Sequence, residues 1–219
     1  MKGQVKINIR VLLSFCTLGI LLSFGYSGIS QNLSLKKEAD SLYQQGNYTE
    51  AVSSYQRLVQ YWQSRSNLDS AHYYQLWQAR SNIQQYEYGT AQKMLNAILS
   101  QADTISESSL LSKVYHDLAR AYQGTSDIAK ALNFSERSIA TELEQSQADT
   151  FQLAKYYEFR GFLQMQSGQY EEAEQGVKYA HRLRKQILEP TDKELGYSAN
   201  TLYIVMDALG KLDEADIAI

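Results

Sequence analysis

The side chains of this sequence that could support catalysis or hold a metal are few and scattered. None of the three histidines, His72, His116 and His181, has a second histidine at the spacing that presents two ligands from one helix, so each is interpreted as a surface or groove residue. The single cysteine, Cys16, falls in a segment that we interpret below as removed, which excludes thiolate catalysis and cysteine-ligated metals from the mature chain. No phosphate-binding loop, nucleophile-elbow or HExxH motif occurs. We therefore expect no catalytic residues, no metal site and no cofactor, and we predict that the protein is not an enzyme.

The charged residues are better explained by helix ends than by acid–base chemistry. The pairs Glu171–Glu172 and Asp213–Glu214 stand where the pattern described below begins a helix, and carboxylates there interact favourably with the helix dipole. The formal net charge is −3 without any block of basic residues, which argues against a nucleic-acid partner. A hydrophobic fraction of 44% with a single proline favours a mainly helical globular protein.

The first thirty residues resemble a secretory signal peptide. Three basic residues precede an uncharged apolar run at 11–24, and Gly28 and Ser30 occupy the −3 and −1 positions of a cleavage site. The alternative is an uncleaved membrane anchor, although the run is shorter than the roughly 20 residues that a spanning helix needs. Cleavage leaves 18 basic against 24 acidic residues, a charge of −6. We expect the mature chain to be exported to the periplasm, cell envelope or extracellular space, without membrane contact.

An internal repeat organises the rest of the chain. One alanine recurs at intervals of 40 or 42 residues, at Ala51, Ala91, Ala131, Ala173 and Ala215. A large apolar or aromatic residue stands three places before each alanine, and a small residue stands twelve places before the first four. This frame predicts two antiparallel helices per repeat that approach closely at the small residues and stack on the next pair. The segment QADT, at 101–104 and again at 147–150, is predicted to supply the N-cap of the helix that follows.

The repeat resembles a known family. GNYTEAVSSY, GQYEEAEQGV and GKLDEADIAI look like the turn and second helix of tetratricopeptide repeats (TPR), and the last two units, which contain Pro190, are similar to the 42-residue repeats of kinesin light chains. The resemblance implies an all-α, right-handed superhelical solenoid of antiparallel helix pairs, with about four and a half repeats. A signal at 1–30 and a repeat domain at 31–219 are expected, with units near 33–66, 67–104, 105–148, 149–190 and 191–219, the last incomplete.

The resemblance also implies where a partner would bind. In this family the first helices of the pairs build the concave wall that displays the recognition side chains. The residues expected to bind a peptide there are Tyr43, Tyr73, Arg80, Lys113, His116, Arg120 and Lys155. Their four Lys and Arg residues would form a basic stripe that attracts an acidic segment. The alternative is a wall of mixed, solvated charges, because Asp40 and Glu158 interrupt the stripe.

Three roles stay open on these observations. The first is an exported, non-catalytic scaffold that binds a protein or peptide segment in its groove. The second is the regulatory or sensing arm of a longer enzyme or signalling protein, such as a CHAT-like protease, a histidine kinase or a transcriptional regulator, whose effector domain lies beyond residue 219. The third is self-association through the uncapped C-terminal repeat, where Ile217 and Ile219 stand.

Overall fold

The computed structural model describes residues 32–213. The expected signal at 1–30 and the end of the fifth unit, including Ile217 and Ile219, lie outside the described residues. Between 32 and 213 the chain is helical and contains no strand. The elements are α1 (32–44), α2 (Tyr48–Gln63), α3 (Leu68–Gln84), α4 (Tyr88–Leu99), a short 3-10 helix (Ala102–Thr104), α5 (Ser108–Gly124), α6 (Ile128–Leu143), α7 (Thr150–Gln166), α8 (Tyr170–Ile187) and α9 (Lys193–Ala208).

The helices pack mainly on their neighbours in the chain. The contacts between α5 and α6 and between α7 and α8 are the most extensive, and the pairs α3/α5 and α7/α9 also touch. The buried apolar side chains accordingly form four clusters along the array, the largest of which joins α3, α4 and α5. This is the all-α arrangement of stacked helix pairs that the repeat predicts, in which each unit is stabilised by the units beside it.

The small residues of the repeat frame lie where helices cross. Seven of them have no exposed surface: Ala39, Ala51, Ala79, Ala91, Ala119, Ala131 and Ala173. In the fourth pair the crossing is tighter still, because a Cβ at Gly161 would lie 2.5 Å from a methyl group of Val177. Close packing of this kind lets two helix backbones approach, and larger side chains would force them apart.

A left-handed residue connects the two helices of each pair. The residue five places before the frame alanine has positive φ in all five units: Gly46 (79°), Tyr86 (63°), Ser126 (61°), Gly168 (78°) and Gly210 (69°). Glycine adopts this conformation without steric cost, whereas the Cβ of other L-residues meets the backbone. The turn therefore explains the recurring glycine, and the second and third pairs form it under strain.

The strain at Tyr86 can be relieved by substitution. Tyr86→Gly is expected to stabilise the protein by about 1 kcal/mol, since the phenol ring is 79% exposed and contributes only an edge contact with Tyr88. Urea unfolding followed by circular dichroism measures the change. Gly168→Ala is the matched control, because its Cβ would meet no atom within 4 Å and any loss of stability comes from the backbone alone. A less stable Tyr86→Gly variant would show that the ring contact outweighs the strain.

The two QADT segments behave differently. Asp149 caps α7 as predicted, with its Oδ1 accepting hydrogen bonds from the backbone N–H groups of Phe151 (2.9 Å) and Gln152 (3.1 Å). The prediction for 101–104 is wrong, since Asp103 lies within the 3-10 helix and α5 starts after Glu107, whose side chain makes no capping bond. The reason is local, because residues 105–107 separate the segment from the start of α5, whereas in the second copy the helix starts at the last residue of the segment.

Candidate functional groove

The solenoid contains an open cleft of about 620 Å³ that is lined mainly by the first helices of the pairs. Tyr43 of α1 and Thr201 of α9 both line it, so the array curves enough to bring the two ends of the described chain around one space. A second cavity of about 280 Å³ lies between α1, α2 and α3, and Tyr43 lines this one too. We call the larger space the groove; its volume is in the range typical of ligand pockets.

The structure brings together only some of the residues expected to bind a partner. The members that line the groove are Tyr43, His116, Arg120 and Lys155. Tyr73 and Tyr43 line the smaller cavity. Arg80 and Lys113 line neither, although both lie on the first helix of a pair, as expected.

A buried carboxylate that sequence analysis did not single out organises two of the predicted cations. Asp117 on α5 has no exposed side-chain surface; its Oδ2 accepts a 2.5 Å bond from Nε of Arg80, and its Oδ1 accepts a 3.2 Å bond from Nη1 of Arg120. Burial alone would raise the pKa of Asp117, but the two guanidinium groups hold it well below its ordinary value. Arg80 and Arg120 are thus partners of an internal acid and not members of a free basic stripe, which corrects that expectation.

His116 is a neutral packing residue at the wall of the groove. Its ring lies 4.8 Å from that of Tyr156 and 5.1 Å from that of Phe159, and its Nδ1 has no hydrogen-bond partner. Burial, together with the charge of Lys155, holds the pKa of His116 well below its ordinary value. His116 thus lines the groove, which agrees with its interpretation as a surface or groove residue, whereas His72 and His181 are buried and do not line the groove. No cluster of potential metal ligands occurs among the described residues.

Lys155 forms no ion pair with a carboxylate among the described residues. Among residues 32–213 no acidic group lies within ion-pair distance of its Nζ. Burial lowers the pKa of Lys155, and the positive charges of Arg80 and Arg120 lower it further, whereas Asp117 acts in the opposite direction. Glu194 also favours the charged form of Lys155, so the charges around the ammonium group are mixed. An anion that reached Lys155 through the groove would still be stabilised by it.

A second helix of a pair contributes a groove residue that the repeat frame could not indicate. Arg184 of α8 is 3% exposed, and its Nη2 donates a 2.7 Å hydrogen bond to Oε2 of Glu158. Its Nε and Nη1 are buried without partners. Leaving such donors unsatisfied costs about 1–3 kcal/mol each. Arg184 and Lys155 both line the groove, so a ligand bound there would contact both residues.

Aromatic rings form the remaining wall of the groove. Three phenylalanines of α7, Phe151, Phe159 and Phe162, line it, and Phe151 and Phe162 are more than a third exposed. The groove thus combines apolar area with the cations Arg120, Lys155 and Arg184 and the carboxylates Glu158 and Glu194. Such a lining can bury an apolar side chain and pair with a charged group of a ligand.

Solved structures resemble this fold over most of its length. BtubC (BKLC) from P. vanneervenii superposes with a TM-score of 0.73 at 15% sequence identity, over 84% of this chain and 75% of that protein. A kinesin-light-chain-like protein of Podosopora anserina with nearly identical TPR-like repeats gives 0.66 at 22% identity, over 86% and 92% of the two chains. The chain has a TPR-like solenoid fold.

Further TPR-like relatives agree with this architecture. TTC0263, a thermophilic TPR protein of Thermus thermophilus, superposes with a TM-score of 0.55 at 18% identity, over 85% of this chain and 87% of that one. The predicted all-α solenoid and the resemblance to kinesin-light-chain repeats are confirmed at the level of the fold. No protein-family model matches the sequence, and no curated protein matches it significantly. Within residues 32–213, none of the TPR-like helices has the length and apolar character needed to cross a membrane.

Proposed function

We propose that the protein is a non-catalytic interaction scaffold that binds a segment of a protein partner in the groove, with a carboxylate of that segment held between Lys155 and Arg184. The observation that carries this proposal is the pair of buried guanidinium nitrogens of Arg184 that have no acceptor. A ligand carboxylate would supply that acceptor and would also neutralise Lys155. This assigns the acidic preference to the C-terminal end of the groove, away from Arg80 and Lys113.

The shape of the groove supports a peptide segment over a small anion alone. Its volume of about 620 Å³ exceeds what one carboxylate needs, and the exposed rings of Phe151 and Phe162 offer apolar area next to the cations. Burying an apolar side chain contributes about 1.5–3 kcal/mol. An acidic residue followed or preceded by a large apolar one would use both features of the site.

Binding is tested with fluorescent peptides that pair Asp or Glu with an aromatic residue, each compared with its Asn or Gln counterpart by anisotropy. We expect acidic peptides to bind at least about tenfold more tightly than their amide counterparts, as a charge-assisted hydrogen bond is worth about 1.5–3 kcal/mol. Lys155→Met should abolish that preference. Lys113→Met is the matched control, because Lys113 lies outside the groove.

Two outcomes would contradict the proposal. One is the absence of saturable binding by any acidic peptide to a protein whose circular dichroism shows it to be folded. The other is an equal loss of affinity in Lys155→Met and Lys113→Met, which would indicate attraction by overall charge and not by a site.

We further propose that the scaffold acts outside the cytoplasm. The support is the basic start, short apolar run and small residues at the N-terminus of the sequence. N-terminal sequencing of the protein recovered from the envelope or medium of expressing cells should begin at Gln31. Recovery of an intact N-terminus from the cytosol would contradict export.

A further inference from the structure

The smaller cavity has an aromatic lining with one carboxylate at its edge. Six residues of α1, α2 and α3 line it: Asp40, Tyr43, Gln44, Tyr55, Tyr73 and Trp77. We refer to the four aromatic residues together with Asp40 as the aromatic cage. The Tyr43 ring stands edge-on to Trp77 at 5.2 Å, the Tyr73 ring does so at 6.4 Å, and the Tyr55 ring stacks on Trp77 at 6.1 Å. The cavity of about 280 Å³ is large enough for a small organic group.

The rings of the cage already take part in cation–π contact. The guanidinium carbon of Arg80 lies 4.8 Å from the centroid of the Trp77 ring. Its bond to Asp117 holds Arg80 in place, so this cation is part of the fold and does not fill the cavity. The Trp77 ring therefore already stabilises one positive charge, that of Arg80, and Tyr43 and Tyr73 add two further rings to the cavity.

The carboxylate of the cage supplies charge but offers few free acceptor sites. Oδ1 of Asp40 accepts a 2.9 Å hydrogen bond from the Tyr55 hydroxyl, and Oδ2 accepts a 2.5 Å bond from Nζ of Lys36. Burial, helped by the bond to Asp40, raises the pKa of Tyr55, so that the phenol stays protonated and continues to donate. Lys36 and Asp40 form a partly exposed i,i+4 pair.

We propose that the aromatic cage binds an alkylated ammonium group, such as a quaternary ammonium. A methylated ammonium has no or few N–H donors, spreads its charge over its methyl groups and packs them against ring faces. A primary ammonium depends on hydrogen-bond acceptors, and both oxygens of Asp40 already accept from Tyr55 and Lys36, whereas an alkylated ammonium needs no such acceptor. The inference is independent of the groove proposal, because the cage and the groove share none of the residues that carry the two arguments.

Choline and its neutral tert-butyl analogue, in which carbon replaces the nitrogen, test the proposal directly. The protein contains two tryptophans, so Trp62→Phe leaves Trp77 as the only indole reporter of the cage. Fluorescence titration should show saturable binding of choline at least about tenfold tighter than of the neutral analogue, the ratio expected for cation–π attraction in a partly desolvated site. Equal affinities for choline and the neutral analogue would show that the cage is only an apolar pocket and would overturn the proposal. Tighter binding of ethanolamine than of choline would also overturn it.

Substitutions within the cage separate a binding role from a structural one. Tyr73 is partly exposed, and Tyr73→Leu should weaken choline binding about fivefold, while Tyr73→Phe, which keeps the ring, should bind within about twofold of the parent. Tyr197→Leu on α9 is the matched control, since Tyr197 is exposed and far from the cage in the chain. An unchanged affinity in Tyr73→Leu, or an equal loss in Tyr197→Leu, would overturn the assignment.

A final comparison identifies the source of the ammonium group. A short peptide that contains trimethyllysine is titrated alongside choline under the same conditions. Tighter binding of the peptide supports the proposal with a methylated protein segment as ligand, and equal affinity supports it with a free quaternary ammonium compound as ligand. Failure of both to bind, with acidic peptides still binding at Lys155, would refute the cage and leave the groove proposal intact.

Discussion

Asp117→Asn is expected to destabilise the protein by about 3–5 kcal/mol, the range observed when one partner of a buried ion pair is removed. Arg80 and Arg120 would then lie next to each other without the carboxylate that neutralises them. The neutral amide also donates hydrogen bonds where the carboxylate accepts two. Equilibrium unfolding in urea at neutral pH, followed by circular dichroism, measures the change.

The control for this prediction is another Asp→Asn change in an exposed pair. Asp127 pairs with Lys130 at the start of α6, and asparagine can still cap the helix, so Asp127→Asn should have a much smaller effect. A comparable loss of unfolding free energy in both variants would show that burial does not make the Asp117 cluster more sensitive than an exposed ion pair. A nearly unchanged Asp117→Asn variant would mean that solvent reaches the two arginines.

The same carboxylate makes a testable contribution to acid stability. Because the pKa of Asp117 is depressed in the folded protein, its contribution is fully present above the ordinary aspartate pKa of about 3.9 and is lost as the pH falls towards the folded value. Asp117→Asn should remove this part of the pH dependence. The difference in unfolding free energy between parent and variant should therefore shrink when both are measured at progressively lower pH.

Leu118→Ala is expected to cost about 2–5 kcal/mol, the usual range for truncating a fully buried leucine. Leu118 belongs to the cluster that joins α3, α4 and α5 in the middle of the array. Since each unit is stabilised by its neighbours, weakening a central unit should loosen its contacts on both sides. Hydrogen exchange should report faster opening in both adjacent pairs.

In a solenoid the effect of truncating a leucine should depend on which repeat contains it, whereas in a single globular core it should not. Leu202→Ala removes an equally buried leucine from α9, near the end of the described chain. There, faster exchange should be confined to α8 and α9, and α3 to α5 should keep their protection. Equal loosening of the whole molecule by both substitutions would indicate that it unfolds as one cooperative unit.

The sequence predicted only some of the residues that line the groove. Tyr43, His116, Arg120 and Lys155 follow from the resemblance, since the family places first-helix residues on the concave wall, and they do line the groove. Arg184 does not follow, because it lies on a second helix and lines the groove only once the helices have packed. For the same reason nothing in the spacing indicated that α1, α2 and α3 enclose an aromatic cavity.

The periodic pattern of small and large residues by itself determines the helix pairs, their turns and the stacked architecture, because these depend on contacts between residues near one another in the chain. Which charges are free is decided only by the tertiary structure. Arg80 and Asp117 are 37 residues apart, and their bond forms only once two helix pairs have stacked. The sequence does not show whether a charged side chain neutralises a buried partner or is free to bind a ligand. That difference depends on distances, burial and the surrounding groups.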